Sequence, residues 1–529
     1  MPATAFRLTL LAGSLASLTL VSPAQAQTMV PANAANTCSV SAKDFKTWFA
    51  SGKVTPNGFV NAANSLNFNH DTINPPKSNK TINCNFYQWS QQMFLWISSP
   101  APAQLGGRTI LDSSVFYDVL DGAGDSLCLF NPVTRSNSCS AANGLNANRI
   151  KLRVNKPLKA QVISSSSADA GTAQADRSAS LMGQNNKLVY YTLHVNDVYA
   201  YYASANGTQG NGGTLQFPTT QAQLQSALDW AKKNNRPVPD PNALALELKA
   251  SWVEASGLDS SKYVTTVAEV PTFDTSNPKQ WVQNGSKQTL LALVGLHVVG
   301  SVAGHPEMIW ATYEHINNTP NAAYQYVDKT NKTVSVAQGV PQNMLFAANG
   351  SKGPFNQLQI KSSTNAQGQQ VLSGQNNGNV AASDTLRTFP WGADQAIPLL
   401  QGLNAAQANT EVIAINNSVR GMLGKGDVRQ NYLFIGATWT PGGVNPYSPF
   451  GSQGTVNYAG SNTLANSTME TYVNLQNKMF NCFSCHFNGN GANGQPATVG
   501  VSHIYNSLTP FNNSLLQFNS NLSRPASAK

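Results

Sequence analysis

Charged residues are scarce in this chain of 529 residues, where Lys, Arg, Asp and Glu together make up only 11%. The net charge of +9 is thinly spread, and no run of Lys or Arg occurs. Nucleic-acid binding normally depends on a basic patch or stripe, so the composition argues against it. Asn, Gln, Ser, Thr and Gly fill the places of the missing charges, which is typical of a β-rich exported protein with long polar loops.

Long apolar runs are also few. The best candidate after the N-terminus, residues 290–302, contains His297 together with glycine and serine, so it predicts a buried strand instead of a membrane span. The chain also lacks an internal repeat, a G-x-S-x-G sequence, a phosphate-binding loop and a dinucleotide-binding fingerprint. The enzyme classes that depend on those motifs are therefore not indicated.

The N-terminus carries an export signal. Arg7 precedes an apolar stretch at residues 8–21, and Ala24-Gln25-Ala26 is the small-x-small pattern that signal peptidase recognises. We predict a signal peptide at residues 1–26, cleavage after Ala26, and release into the periplasm or beyond. An uncleaved membrane anchor is the alternative, although the stretch is short for spanning a bilayer.

The rest of the chain is long enough for two or three domains, or for one large domain with insertions. Its hydrophobic periodicity predicts an α+β fold, with a β-rich main body and N-terminal helices at residues 27–400 and a C-terminal helical segment at residues 401–529. Alternating apolar residues at 244–253 predict a strand with one buried face. The strands at 290–299 and 307–316 are predicted to form a hairpin joined through residues 300–305, in which His297 lies roughly opposite Trp310. The predicted helices are 42–49, 86–97, 219–233 and 405–422; the predicted strands are 109–119, 188–202, 244–253, 290–299, 307–316 and 432–438; the predicted loops are 164–176, 207–213 and 362–379.

Only six cysteines occur, and four of them lie in the first 140 residues. An even number of cysteines in an oxidising compartment predicts disulfides. Pairing Cys38 with Cys84, and Cys128 with Cys139, closes local loops in both cases. We therefore predict these two structural disulfides.

The other two cysteines belong to Cys482-Phe483-Ser484-Cys485-His486, a C-x-x-C-H sequence. Two cysteines at this spacing on a helix lie on one face about one turn apart, so both thiols can reach the two vinyl groups at one edge of a haem. The next residue is then placed to bind the iron. The motif predicts one covalently attached haem c, held by Cys482, Cys485 and His486, with His486 as the proximal iron ligand. A C-x-x-C disulfide and half of a zinc site are the alternatives.

A helix is predicted to lead into this motif. Ser467 and Glu470 fit a capping box, with Ser467 as the N-cap, and Met469, Tyr472 and Met479 follow at helical spacing. The capped helix followed by C-x-x-C-H resembles the c-type cytochromes over about the last 60 residues. Two further segments, CNFYQWS at 84–90 and HPEMIWAT at 305–312, are similar to large bacterial exported cytochrome-like proteins. The resemblance implies a covalent haem and electron transfer.

The second iron ligand departs from the small class I pattern, in which a Met follows far downstream, because no Met follows His486. Met469 and Met479 precede His486 on the predicted helix and therefore lie on its side of the haem. His503 follows a loop of sixteen intervening residues, which can extend roughly 50 Å. We predict bis-histidine ligation by His486 and His503, with His297 as the second candidate. The alternative is that His503 is an ordinary surface histidine.

These features predict an exported monohaem c-type cytochrome that transfers one electron at a time to or from a periplasmic redox partner protein. The second hypothesis is a haem enzyme of the peroxidase or oxygenase type with an open distal site, because the chain is larger than an electron carrier needs. The third is a β-rich binding protein in which the haem is accessory.

Overall fold

The computed structural model describes residues 29–69, 83–121, 126–139, 179–208, 214–393, 403–446, 458–472, 481–487 and 494–511. The predicted signal peptide and the predicted loop at 164–176 lie outside the described residues. The helices are α1 Ala42–Trp48, α2 Asn83–Ile97, α3 Asp197–Asn206, α4 Gln221–Lys233 and α5 Ala405–Met422. The strands are β1 Phe116–Asp121, β2 Leu127–Phe130, β3 Ala179–Ser180, β4 Val189–Asn196, β5 Leu246–Glu254, β6 Thr265–Asp274, β7 Gln280–Val302, β8 His305–His315, β9 Tyr324–Val327, β10 Thr333–Val336, β11 Ile360–Thr364, β12 Gln370–Gly374, β13 Tyr432–Trp439 and β14 Ala459–Gly460.

One curled antiparallel sheet dominates the fold, in the order β14-β13-β8-β7-β5-β4-β1-β2. β7 is long enough to pair with β6 and β12 as well, and β11 joins β12 to β3. β13 comes from beyond residue 400 and lies beside β8, so the chain on both sides of the predicted boundary at residue 400 contributes to the same sheet. The predicted α+β, β-rich class is confirmed.

One face of the central strands is apolar and is covered by α2 and α5. The stripe of large apolar residues that predicts the second helix is buried in this core. Phe94 of α2 stacks on Tyr313 of β8 with ring centroids 4.4 Å apart. Asn416 of α5 bonds the backbone of Phe434 in β13 as donor (2.8 Å) and as acceptor (2.9 Å), which fixes the helix against the sheet. The predicted bounds of α5 agree with the structure.

The opposite face of β5 differs from the prediction. The alternation of apolar and polar residues predicts a strand with one face in solvent, but all nine residues of β5 are buried. The C-terminal part of the chain covers the polar face, so Glu247 and Lys249 are each only 8% exposed. A sequence window cannot detect this cover, because it comes from residues more than 200 positions away.

The β7–β8 hairpin forms as predicted, but its register is shifted. The prediction places His297 opposite Trp310, whereas His297 lies opposite Thr312 and Val299 lies opposite Trp310. Near the turn, Val302 pairs with His305. The register then shifts between Val302 and Gly300, because Gly300 pairs with Ile309. The cause is a bulge in β8, where Met308 has a left-handed φ of 68° and takes up extra residues of that strand.

Two other predicted elements are wrong in part. Residues 362–379 are predicted to be a loop, but they contribute to the β11–β12 hairpin, because polar Ser, Thr and Gln side chains can occupy an exposed hairpin. The predicted strand at 188–202 ends at Asn196, whose side chain accepts a hydrogen bond from the backbone N–H of Tyr199 and starts α3.

Both predicted disulfides, Cys38–Cys84 and Cys128–Cys139, are present. Such bonds form in oxidising compartments, which fits an exported protein. In the described part of the chain, no helix is both long and apolar enough to cross a membrane.

The two disulfides are expected to stabilise the fold unequally. Cys38–Cys84 spans 46 residues and Cys128–Cys139 only 11, and a longer closed loop restricts the unfolded chain more. Replacing the first pair by Ala should therefore lower the free energy of unfolding more, within a typical range of about 2–4 kcal/mol. Chemical denaturation of the two double variants measures the difference. Peptide mapping of the unreduced protein checks the pairing, and free thiols at these positions would contradict it.

Candidate functional site

The buried polar face of the sheet consists of side chains from three neighbouring strands. On β5 they are Glu247, Lys249 and Ser251, on β7 His297, and on β8 Trp310, Thr312 and Glu314. Lys249, His297 and Thr312 lie in one row across the strands, because the register pairs each with the next. Rows on one face of a sheet are about 7 Å apart, so these groups form a compact patch. In the text below, this patch is called the polar face.

The turn at residues 466–472 is bonded to one end of the polar face. The side-chain amide of Asn466 donates to the hydroxyl of Thr312 (2.9 Å), and the hydroxyls of Ser251 and Thr468 share a hydrogen bond (2.7 Å). The carboxylate of Glu314 accepts from the backbone N–H of Ser467 (2.8 Å). Buried polar groups need partners, and each of these contacts supplies one across the interface. The polar face therefore positions the C-terminal segment.

The predicted capping box does not form at Ser467, because the hydroxyl of Ser467 donates to Glu314. Asn466 caps this turn instead, by accepting from the backbone N–H of Thr468 (3.0 Å), while Glu470 accepts from the backbone N–H of Asn466 (2.7 Å). Residues 466–472 form turns and not the predicted helix. Met469 is fully buried in another apolar cluster, and Met479 lies outside the described residues.

The C-x-x-C-H sequence itself forms one tight 3-10 turn, Cys482–Ser484. The carbonyl of Cys482 accepts from the backbone N–H groups of Cys485 (3.1 Å) and His486 (2.9 Å), which brings both thiols and the imidazole onto a single turn. Asn481 caps this turn and donates to the hydroxyl of Thr438 (3.2 Å). Phe483 is buried, whereas Cys482, Cys485 and His486 are partly exposed. The motif is therefore anchored at its apolar residue, and its two thiols and imidazole are half-buried.

The imidazole of His486 is held on three sides. Its ring lies between Trp310 and His503, with ring centroids 4.2 Å away in both cases. Its Nδ1–H donates to the carbonyl of Val501 (3.1 Å), which leaves the lone pair on Nε2. Burial lowers the pKa of His486, with smaller contributions from the charges of His503 and Lys249. The ring is therefore neutral at physiological pH and presents Nε2 as a metal ligand.

His503 lies next to His486, as the prediction requires, but its ring is stacked on the imidazole of His486 at an interplanar angle of 18°. Its Nε2–H donates to the carbonyl of Cys485 (3.1 Å). Two axial ligands of one iron must point at each other across the porphyrin, and stacked rings do not. Ligation by His503 therefore requires a rearrangement, and it stays a prediction.

His297, the second candidate ligand, has the buried partner that its position in an apolar strand demands. Its Nε2–H donates to Glu470 (3.1 Å). Burial alone would raise the pKa of Glu470, but the charge and hydrogen bond of His297 lower it overall. His297 and Glu470 therefore form a charge-assisted pair, which fixes His297 and leaves Lys249 beside it.

Sequence analysis missed two of the three charged residues of β5, Glu247 and Lys249, as site residues. Lys249 stands on the polar face beside His297, and burial lowers its pKa to about 7, although the charges of Glu470 and Glu247 oppose that change. Burial likewise raises the pKa of Glu247 to about 7, and Glu247 accepts a hydrogen bond from Ser502 (2.6 Å). The signal was three charged residues, Glu247, Lys249 and Glu254, in one otherwise largely apolar strand of a chain that has few charges.

The donor set on this turn fits a c-type haem. Burial raises the pKa of the Cys485 thiol to about 11 and that of Cys482 further, with Glu470 adding to both. Cys482 and Cys485 are free, and the described residues contain no group of three or more His, Cys, Asp or Glu that could hold a metal ion. Two thiols and one neutral imidazole on a single turn are what covalent haem attachment needs.

Comparisons with protein-family models, with curated proteins and with solved structures found no match to the chain.

Proposed function

We propose that the protein is an exported monohaem c-type cytochrome that performs one-electron transfer in the periplasm after cleavage of its signal peptide at Ala26. Cys482 and Cys485 hold the haem through thioether bonds, and His486 is the proximal iron ligand. When bound, the haem supplies a couple of ferric and ferrous iron that exchanges one electron. Trp310, His503 and the carbonyl of Val501 keep the proximal imidazole in one orientation.

The observation that carries this proposal is the fixed imidazole of His486 beside two free thiols. An imidazole whose Nδ1–H is bonded to a carbonyl has one tautomer and one direction of approach to a metal. The contacts to Trp310 and His503 also limit its rotation. A fixed ligand reduces the structural change that accompanies electron transfer, which suits a carrier.

A specific observation favours the haem enzyme as the second candidate. Lys249, Glu247 and the His297–Glu470 pair are acid–base groups buried beside the attachment motif, and two of them have pKa values of about 7. Enzymes use such groups to move protons near neutral pH. The state of the second axial position separates the two functions, because a carrier fills it and an enzyme leaves it open.

We expect the isolated holoprotein to contain six-coordinate, low-spin iron, and its ferrous form to bind carbon monoxide slowly. Optical spectra of the ferric and ferrous protein, with and without carbon monoxide, test this expectation. If the protein is high-spin and takes up carbon monoxide at once, the electron-carrier function is contradicted and the haem enzyme is supported. Myoglobin, which has an open sixth position in its ferrous state, serves as the comparison for rapid uptake.

A further inference from the structure

A second cluster of reactive side chains lies on the other face of the sheet, opposite the polar face. Alternate residues of a strand share a face, so Thr192 and His194 of β4 lie on the same face as Tyr190, which belongs to the apolar core. Asp118 of β1 is the register partner of His194, and Ala250 of β5 is the register partner of Thr192. A carboxylate, an imidazole and a hydroxyl therefore lie side by side on this face.

The three side chains are in contact in the order carboxylate, imidazole, hydroxyl. Nδ1 of His194 lies 2.8 Å from Oδ1 of Asp118, and Nε2 of His194 lies 2.8 Å from Oγ1 of Thr192. Because an ionised carboxylate only accepts hydrogen bonds, it favours the proton on Nδ1. Nε2 is then the acceptor, and the hydroxyl of Thr192 donates to it. A nucleophile, its base and the group that orients the base have this order in hydrolytic triads.

Burial increases along the same series. Thr192 is half-buried, whereas His194 is 6% exposed and Asp118 is 5% exposed. Among the described residues, Oδ2 of Asp118 and Nδ1 of His194 have no aligned hydrogen bond, although the two side chains are in contact. Buried polar atoms of this kind are rare, and the hydrogen bonds of a catalytic site are often poorly aligned before the substrate binds. The hydroxyl is the most accessible of the three groups, as a nucleophile must be.

The surroundings of Thr192 suit a small acyl group. The indole N–H of Trp252 donates to Oγ1 of Thr192 (2.9 Å), so it stabilises the negative charge that forms there when the proton leaves. A hydroxyl oxygen has two lone pairs, and the second is left for attack on a substrate. Ala250 keeps the space opposite Thr192 small and apolar, and Trp252 adds an apolar wall.

We propose that Thr192 and His194 are the catalytic residues of a second activity, the hydrolysis of small carboxylic esters, with Asp118 as a positioning residue. Oγ1 of Thr192 attacks the carbonyl carbon, and its proton passes to Nε2 of His194. The bond from that carbon to the alcohol oxygen breaks, and the alcohol leaves with the proton. Water then attacks the acyl carbon and gives a proton to Nε2, the bond to Oγ1 breaks, and Oγ1 takes the proton back. The reaction needs neither an oxidant nor the haem.

Covalent trapping on the wild-type holoprotein tests the nucleophile without a variant. Diisopropyl fluorophosphate reacts with a hydroxyl that an adjacent base activates, because the oxygen bonds to phosphorus and fluoride leaves. Peptide mass spectrometry should find the modification on Thr192. His194→Gln removes the base and should prevent this modification. A wild-type protein that stays unmodified at Thr192 would overturn the proposal.

Hydrolysis of p-nitrophenyl acetate measures the reaction itself. Thr192→Val keeps the shape of the side chain without its hydroxyl and should lower kcat/KM by about 100-fold or more, whereas Thr192→Ser should retain activity. Asp118→Asn should lower kcat and leave KM unchanged, because an amide no longer favours the proton on Nδ1 of His194. Thr272→Val, which removes an exposed hydroxyl bonded to Asn284, is the matched control and should hydrolyse the ester as the wild type does. A Thr192→Val variant with the wild-type rate would show that the triad does not act on esters.

Discussion

Replacing Cys482 and Cys485 together by Ser should abolish all haem that survives denaturing electrophoresis. Each thioether bond needs one cysteine sulfur, and the four remaining cysteines are paired in disulfides. Ser is close to Cys in size, and the two thiols are partly exposed, so the fold should be kept. Haem staining after denaturing electrophoresis gives the result, and circular dichroism of the purified variant checks the fold.

Single variants and a disulfide variant complete this experiment. Cys482→Ser and Cys485→Ser should each retain some covalent haem through the remaining thiol. Cys128→Ser combined with Cys139→Ser should retain all of it, because that disulfide plays no part in attachment. Covalent haem in the Cys482→Ser/Cys485→Ser double variant would show that the attachment site lies elsewhere, and the proposed function would then be wrong.

The elements that sequence analysis predicted well are those whose signal is local. The bounds of α5 agree because its cap, its apolar periodicity and its end all lie within Ala405–Met422 and the residues beside it. The disulfides agree because short loops leave few sensible pairings. The residues of the C-x-x-C-H motif are close to one another along the chain, so the turn that unites them is also a local feature.

The errors arise where distant parts of the chain decide the structure. Lys249 belongs to an alternating strand, and only the fold shows that the C-terminal segment covers its polar face. The β7–β8 register depends on a bulge at Met308, which no local pattern indicates. Ser467 has the sequence of a helix cap, but its hydroxyl donates to a buried carboxylate, Glu314, instead of capping a helix. Tertiary contacts overrode the local preference in each case.

Glu314 shows how strongly such a contact can hold the site. It is fully buried and accepts hydrogen bonds from Nε of Arg387 (3.0 Å) and from the backbone N–H of Ser467 (2.8 Å), and Nη2 of Arg387 lies 2.9 Å from the same carboxylate in an ion pair. Arg387 is 1% exposed, so its guanidinium depends on this carboxylate to balance its charge. Glu314 therefore joins the sheet, the loop that carries Arg387 and the C-terminal segment.

Replacing Glu314 by Ala should lower the free energy of unfolding by about 3–5 kcal/mol, because it leaves a buried guanidinium unpaired. It should also loosen the turn at residues 466–472, so its backbone amides should exchange hydrogen faster than in the wild type. Denaturant titration measures the first effect, and hydrogen exchange with mass spectrometry measures the second. Asp259→Ala, which breaks an exposed ion pair with Lys262, is the control and should change neither. The double variant Glu314→Leu/Arg387→Met removes both charges and should recover part of the lost stability. If Glu314→Ala proves as stable as Asp259→Ala, the buried pair does not hold the C-terminal segment on the polar face.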